Sequence, residues 1–203
     1  MISSPIIVLG FPRSGTSLTA GLLHQHGVWV GICRGPDPRN PKGFFENQKF
    51  TSYLKKGKPI TYDIAKDILY SQGYKGGPWL VKHSVKGKWN MWNKFNPLFI
   101  LCFRDIEDII ESQRKVDLFK YGSLQKDERK ERKKINETIQ IMEHISKNHN
   151  SVCIKPAQFI DKDFTDIEKI VNMMGLEFNE QACLDFIDPD LWKRKQYASA
   201  SKK

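Results

Sequence analysis

The sequence is poor in cysteine. It has four in 203 residues, Cys33, Cys102, Cys153 and Cys183, widely spaced and with no CxxC pair. Cys102 and Cys153 sit inside apolar runs, where a free thiol packs as a small hydrophobe. Reduced thiols and a cytoplasmic location are the expectation. No group of His, Cys, Asp and Glu has metal-ligand spacing, so no metal is expected. No apolar run approaches ~18 residues, so no membrane span is expected. The opening MISSPIIVLGFPRSG lacks a basic stretch ahead of its apolar run, and that run ends in a loop signal, so it does not read as a signal peptide. Internal repeats and a second domain are also missing. The expected organisation is one α/β domain over residues 1–195, followed by a disordered tail, QYASASKK, at 196–203.

Acidic residues are outnumbered: 33 Lys and Arg stand against 23 Asp and Glu, a net charge of +10. Such a surface favours polyanions, among them nucleotides, nucleic acids, anionic lipid surfaces and sulfated glycans. The most basic run, KDERKERKK, alternates in sign and has no interleaved aromatics. A solvated helix face fits it better than a nucleic-acid groove.

What is present alternates between strand and helix. Pro5–Gly10, Pro78–Lys82, Leu98–Phe103 and Ser151–Lys155 are short apolar runs that read as buried parallel strands, with Val28–Val30 as a possible fifth. Helical spacing marks Ser17–Gln25, Phe44–Lys56, Tyr62–Gln72, Trp89–Phe95 and Glu180–Phe186. Asp105 reads as an N-cap for a helix running to about Lys120. Lys126–Asn148 reads as a charged helix whose polar first half projects into solvent. Phe164, Ile167, Val171 and Met174 form an apolar stripe on a helix ended by Gly175. Between Gly31 and Gly43, three Pro and three Gly in thirteen residues leave a long loop. This pattern predicts a three-layer α/β/α fold around a mostly parallel sheet of four to five strands. Ligands in such folds bind outside the carboxyl ends of the strands.

Cations gather at those ends: Arg13 after the first strand, Lys82 and Lys155 at the ends of the second and fourth, Arg104 directly after the third. The first loop, GFPRSGTS, has the glycine spacing of a phosphate-binding loop, Gly10 and Gly15, between a strand and a helix. Thr16 stands where a nucleoside-triphosphate kinase needs its lysine, and the cation is Arg13 instead. Arg104 and Ser112, two helical turns apart, could reach one phosphate.

GFPRSGTSLTAGLL, NPKGFFE, WLVK and FRDIEDIIESQ, in that order, resemble the sulfotransferases that use 3′-phosphoadenosine 5′-phosphosulfate (PAPS), in their bacterial and viral branch. The resemblance covers roughly residues 5–192. It implies that Arg13, Ser14, Gly15, Thr16 and Ser17 hold the 5′-phosphate and sulfuryl group, and that Arg104 and Ser112 hold the 3′-phosphate. It implies PAPS as donor and PAP, 3′-phosphoadenosine 5′-phosphate, as product. The acceptor, a carbohydrate, phenol, lipid or peptide, is left open, as is the oligomeric state. Arg13 is the candidate to stabilise the leaving phosphate, with Lys82 second. Glu46 and His83 are rival candidates for the general base. Residues 31–43 and 55–77 are expected to shape the acceptor site, with Phe44, Phe45, Tyr53 and Trp79 as walls. A nucleotide kinase or NTPase and a nucleic-acid-binding protein are the alternatives, the second unlikely on the charge pattern above.

Overall fold

The structure is a computed structural model that describes residues 2–38, 40–84, 89–117 and 128–192. Four parallel strands, β1 (Ile6–Gly10), β2 (Leu80–Ser84), β3 (Leu98–Cys102) and β4 (Ser151–Ile154), form one sheet in the order β2-β1-β3-β4. The side-chain period of two splits each strand between two cores. Ile7 and Leu9 of β1 join Val81, Phe99 and Leu101 on one face; Ile6 and Val8 join Leu80, Ile100 and Ile154 on the other. The first face is covered by α2 (Gln48–Lys55), α3 (Tyr62–Tyr70), a 3-10 helix at Trp89–Phe95 and the second half of α5 (Glu128–Asn148). The second face is covered by α1 (Thr16–Gln25), α6 (Ala157–Ile160), α7 (Thr165–Met173) and α8 (Glu180–Phe186). This is the expected three-layer α/β architecture. Chain order reverses at β1 and β3, the position where open α/β sheets open a crevice.

Several elements differ from their sequence reading. Val28–Val30 is not a strand: Trp29 makes a single parallel bridge to Trp79. The helix expected from Phe44 begins at Gln48, because the Asn47 side chain caps it by accepting the N–H groups of Lys49 and Phe50. β2 lies two residues later than read, since Leu9 and Gly10 of β1 pair with His83 and Ser84. The first half of α5 does not project alone. It packs on α4 (Ile106–Asp117) through Ile135, Ile139, Ile109 and Ile110, with Phe11 of the first loop against the same cluster. Its charges pair across that seam. Arg132 Nη2 donates to Glu107 Oε2 at 2.9 Å, Gln113 to Glu131 at 3.1 Å, and Arg114 to Glu128. The sign alternation that suggested solvent on all sides instead serves a neighbouring helix. The end of the Asp105 helix beyond Asp117, residues 126–127 and the expected tail lie outside the described residues.

Candidate functional site

The site starts at the turn after β1. Ser14 N–H donates to Phe11 O at 3.0 Å, and Arg13 and Gly15 both adopt left-handed backbone, φ 77 and 95. A non-glycine residue there is held at a cost of roughly 1–2 kcal/mol. A side chain on Gly15 would stand 2.6 Å from Pro156 Cβ, and one on Gly10 would collide with Ser14 Oγ. Both glycines let the loop pack by its backbone. α1 then begins with no side chain capping it. Ser14 is 1% exposed and its Oγ has no hydrogen-bond partner among the described residues. An unpartnered buried hydroxyl costs about 1–3 kcal/mol. At the foot of an uncapped helix N-terminus it marks a place built for an anion.

Two arginines close around that place. Arg13 Nε donates to Ser112 Oγ at 3.0 Å, and Ser112, on α4, is buried. Arg104 Nη1 donates to Arg13 O at 2.8 Å, so the second arginine fixes the backbone of the first. Arg104 Nε lies 3.9 Å from Asp108 Oδ2. Asp105 caps α4 as read, accepting the N–H groups of Glu107 and Asp108. The Trp192 ring, delivered by a short 3-10 turn at Pro189–Leu191, covers the Arg104 guanidinium at 4.1 Å from ring centroid to Cζ. Arg13, Gly15, Thr16, Ser17, Lys42, Arg104 and Trp192 are among the residues that line one cleft. Thus the structure gathers Arg13, Ser14, Gly15, Thr16, Ser17, Arg104 and Ser112. Lys155, exposed at the end of β4, lines neither this cleft nor the next. Trp192 was not singled out from sequence; an aromatic just past a short Pro-Asp turn carries no signal by itself.

The second half of the site is joined to the first through one carbonyl. Phe44 O accepts from Ser17 Oγ at 3.4 Å and from Lys82 Nζ at 2.9 Å. Lys82 Nζ also donates to Glu46 Oε1 at 2.9 Å. Lys82 is not at the strand end but inside β2, 6% exposed. Burial pulls its ammonium below the usual lysine value, and the Glu46 carboxylate opposes that pull. Asn47 anchors the loop that delivers Glu46. It is 1% exposed and donates to Val30 O at 3.0 Å while capping α2.

His83 shares the second cleft with Glu46 and Lys82, but both of its ring nitrogens are engaged. Nε2 accepts from Trp92 Nε1 at 2.9 Å, and Nδ1 lies 2.7 Å from Ser84 O. An indole N–H only donates, so Nε2 carries no proton, and Nδ1–H donates to the carbonyl. His26 is buried, stacks on Phe178 and accepts the Asn179 N–H at 3.1 Å. Of the expected aromatic walls, Trp79 is wholly buried, stacked on Phe50 with Trp92 edge-on to it. Phe45 packs edge-on against Phe186, and Phe44 lies under the Arg34 guanidinium. Among the described residues no group of three or more His, Cys, Asp or Glu side chains is arranged to hold a metal ion, and no helix is long and apolar enough to cross a membrane.

No protein-family model and no curated protein matches the chain. Among solved structures it is similar to the sulfotransferase domain of the olefin synthase from Synechococcus PCC 7002. That likeness has a TM-score of 0.63 and covers 98% of this chain and 91% of that one, at 12% sequence identity. The chain shares the fold of that domain. At such low identity the likeness concerns architecture, and the chemistry has to be argued from the residues.

Proposed function

We propose that the chain is a sulfotransferase that moves a sulfuryl group from PAPS to an acceptor hydroxyl. The observation that carries the reading is the pairing of the orphaned Ser14 hydroxyl, at the uncapped start of α1, with the Arg13–Ser112 and Arg104 cluster beside it. A ligand with two separate phosphate-like groups fits that arrangement. Thr16, where a triphosphate-binding loop has lysine, favours a phosphosulfate over a triphosphate.

On this reading the α1 N–H groups, Ser14 and Thr16 hold the 5′-phosphosulfate, and Arg104 and Ser112 hold the 3′-phosphate. The acceptor oxygen bonds to sulfur as the bond between sulfur and the bridging phosphate oxygen breaks. The electron pair stays on the phosphate, which leaves as 3′-phosphoadenosine 5′-phosphate. Arg13 and the helix N–H dipoles stabilise the charge that grows there. Glu46 takes the acceptor's proton. Its Oε2 makes no hydrogen bond among the described residues, whereas the His83 Nε2 lone pair is occupied by Trp92. Lys82 holds Glu46 and, through Phe44 O, ties the base to the phosphate loop. The direct test is transfer of radiolabelled sulfate from PAPS to a panel of hydroxyl compounds. Label should appear in at least one acceptor with wild type and fall to background with Glu46→Gln. A chain that binds the donor but transfers to none is a binding protein, and the catalytic reading fails.

A further inference from the structure

The cleft beside Glu46 is walled by Thr51, Leu54 and Lys55 of α2 and by Lys82, His83 and Ser84 of β2. Its surroundings are lopsided in charge. From Asn47 to Phe103 the only acids are Asp63 and Asp67. Both belong to α3, whose first residue, Tyr62, accepts the Ile2 N–H and stacks on Phe95, at the amino ends of the strands. The cleft lies at the carboxyl ends. α2 and the turn after it carry Lys49, Lys55, Lys56 and Lys58 and no carboxylate. Lys49 is engaged by the Ser71 hydroxyl. Lys55 is exposed, lines the cleft, and has no acidic partner among the described residues. Among the described residues Glu46 is the one carboxylate in the lining, and Lys82 matches it. Among the described lining residues one positive charge, on Lys55, is therefore left uncompensated in the cleft that holds the group that would receive the acceptor's proton.

A lone exposed lysine is ordinary surface. Here the rest of the lining narrows what it could meet. Thr51 and Ser84 offer hydroxyls, His83 an imidazole, and Leu54 an apolar patch; among the described residues no Phe, Tyr or Trp lines it. A flat phenol would lack a ring to stack on, while a pyranose presents hydroxyls at its edge and C–H groups on its face. Resting on the sulfuryl-transfer reading above, we propose that the acceptor is an acidic sugar. Its carboxylate is held by Lys55 while one of its hydroxyls faces Glu46.

Binding of 3′-phosphoadenosine 5′-phosphate is measured first by calorimetry, and its absence sinks the donor reading rather than this one. Transfer from PAPS is then compared for p-nitrophenyl β-glucuronide and p-nitrophenyl β-glucoside, which differ at the carboxylate. Polygalacturonate is a third arm that tells a polymeric acceptor from a single sugar. The glucuronide or the polymer should exceed the glucoside in kcat/KM by about tenfold or more, the scale of one charge-assisted hydrogen bond. Lys55→Gln should erase most of that preference through KM, leave nucleotide affinity unchanged, and be rescued by Lys55→Arg. Donor binding with all three arms inert, equal use of glucoside and glucuronide, or a preference that survives Lys55→Gln would overturn the proposal.

Discussion

Glu46 and His83 face the same cleft, and their hydrogen bonds separate them. One oxygen of Glu46 is held by Lys82, which leaves the other to take a proton; His83 already spends its basic nitrogen on Trp92. Glu46→Gln should therefore cut turnover ~10²–10⁴-fold, the range for a lost general base, with donor affinity near wild type. His83→Asn should cost far less. Steady-state rates with donor binding measured alongside decide between them, and an inactive His83→Asn that still binds donor would reverse the roles. Arg104 is the residue to test for the 3′-phosphate. Arg104→Ala should weaken 3′-phosphoadenosine 5′-phosphate by roughly 1.5–3 kcal/mol, the worth of a hydrogen bond to a charged group. Adenosine 5′-phosphosulfate, which lacks the 3′-phosphate, should bind that variant almost as it binds wild type. Equal losses for the two ligands would mean that Arg104 acts only by bracing Arg13 O.

At the scale of elements, the α4–α5 hairpin separates two kinds of contact. Ile135 is wholly buried against Phe11, Ile109 and Ile110, so Ile135→Ala should destabilise the fold by about 2–5 kcal/mol in urea unfolding. Arg132, one-third exposed, makes two ion pairs, yet Arg132→Ala should cost under about 1 kcal/mol, because solvent screens such pairs. A larger loss for Arg132 than for Ile135 would show the ion pairs holding the hairpin. Strands were legible in the sequence because burial on both faces leaves apolar runs, as in IIVLG and LFILC, and Asp105 was legible as a cap because carboxylates accept helix N–H groups. The start of α2 was not, since Asn47 sits in a polar run where several residues could cap. The packing of α5 on α4 was not, because its partner charges lie well apart in the chain. In the candidate site, the meeting of the loop after β1 with Arg104 and Ser112 was legible from spacing. The Lys82–Glu46 pair was not, because a Pro-Gly loop has no periodicity that would fix where its last residue points. The engagement of His83 by Trp92 is likewise a long-range contact.

Over the whole molecule, three free thiols and a buried amine shape the response to alkali. Burial raises Cys102 from 9.0 to about 12, and Cys33 and Cys183 from 9.0 to about 11. For a thiol raised in the folded state, the stabilisation is full below pH 9.0 and drains away as pH climbs toward 11 and 12. Lys82 works the other way: its lowered value adds stability as pH rises toward 10.5. Above 9.0 three thiols outweigh that one amine, so stability should fall, and Cys102→Ala should fall less steeply than wild type in urea titrations at successive pH values. Identical slopes would remove Cys102 from the account. The +10 charge and the two arginines beside an uncapped helix are the grounds on which a 3′,5′-phosphorylated nucleotide is proposed as donor. The measurement that tests this most directly is thermal unfolding with nucleotides and no catalysis. Without added Mg²⁺, 3′-phosphoadenosine 5′-phosphate should raise the Tm of wild type by mass action, and Mg-ATP at the same concentration should raise it much less. Equal or greater stabilisation by Mg-ATP would contradict the donor assignment and make the chain a triphosphate-binding protein on the same fold.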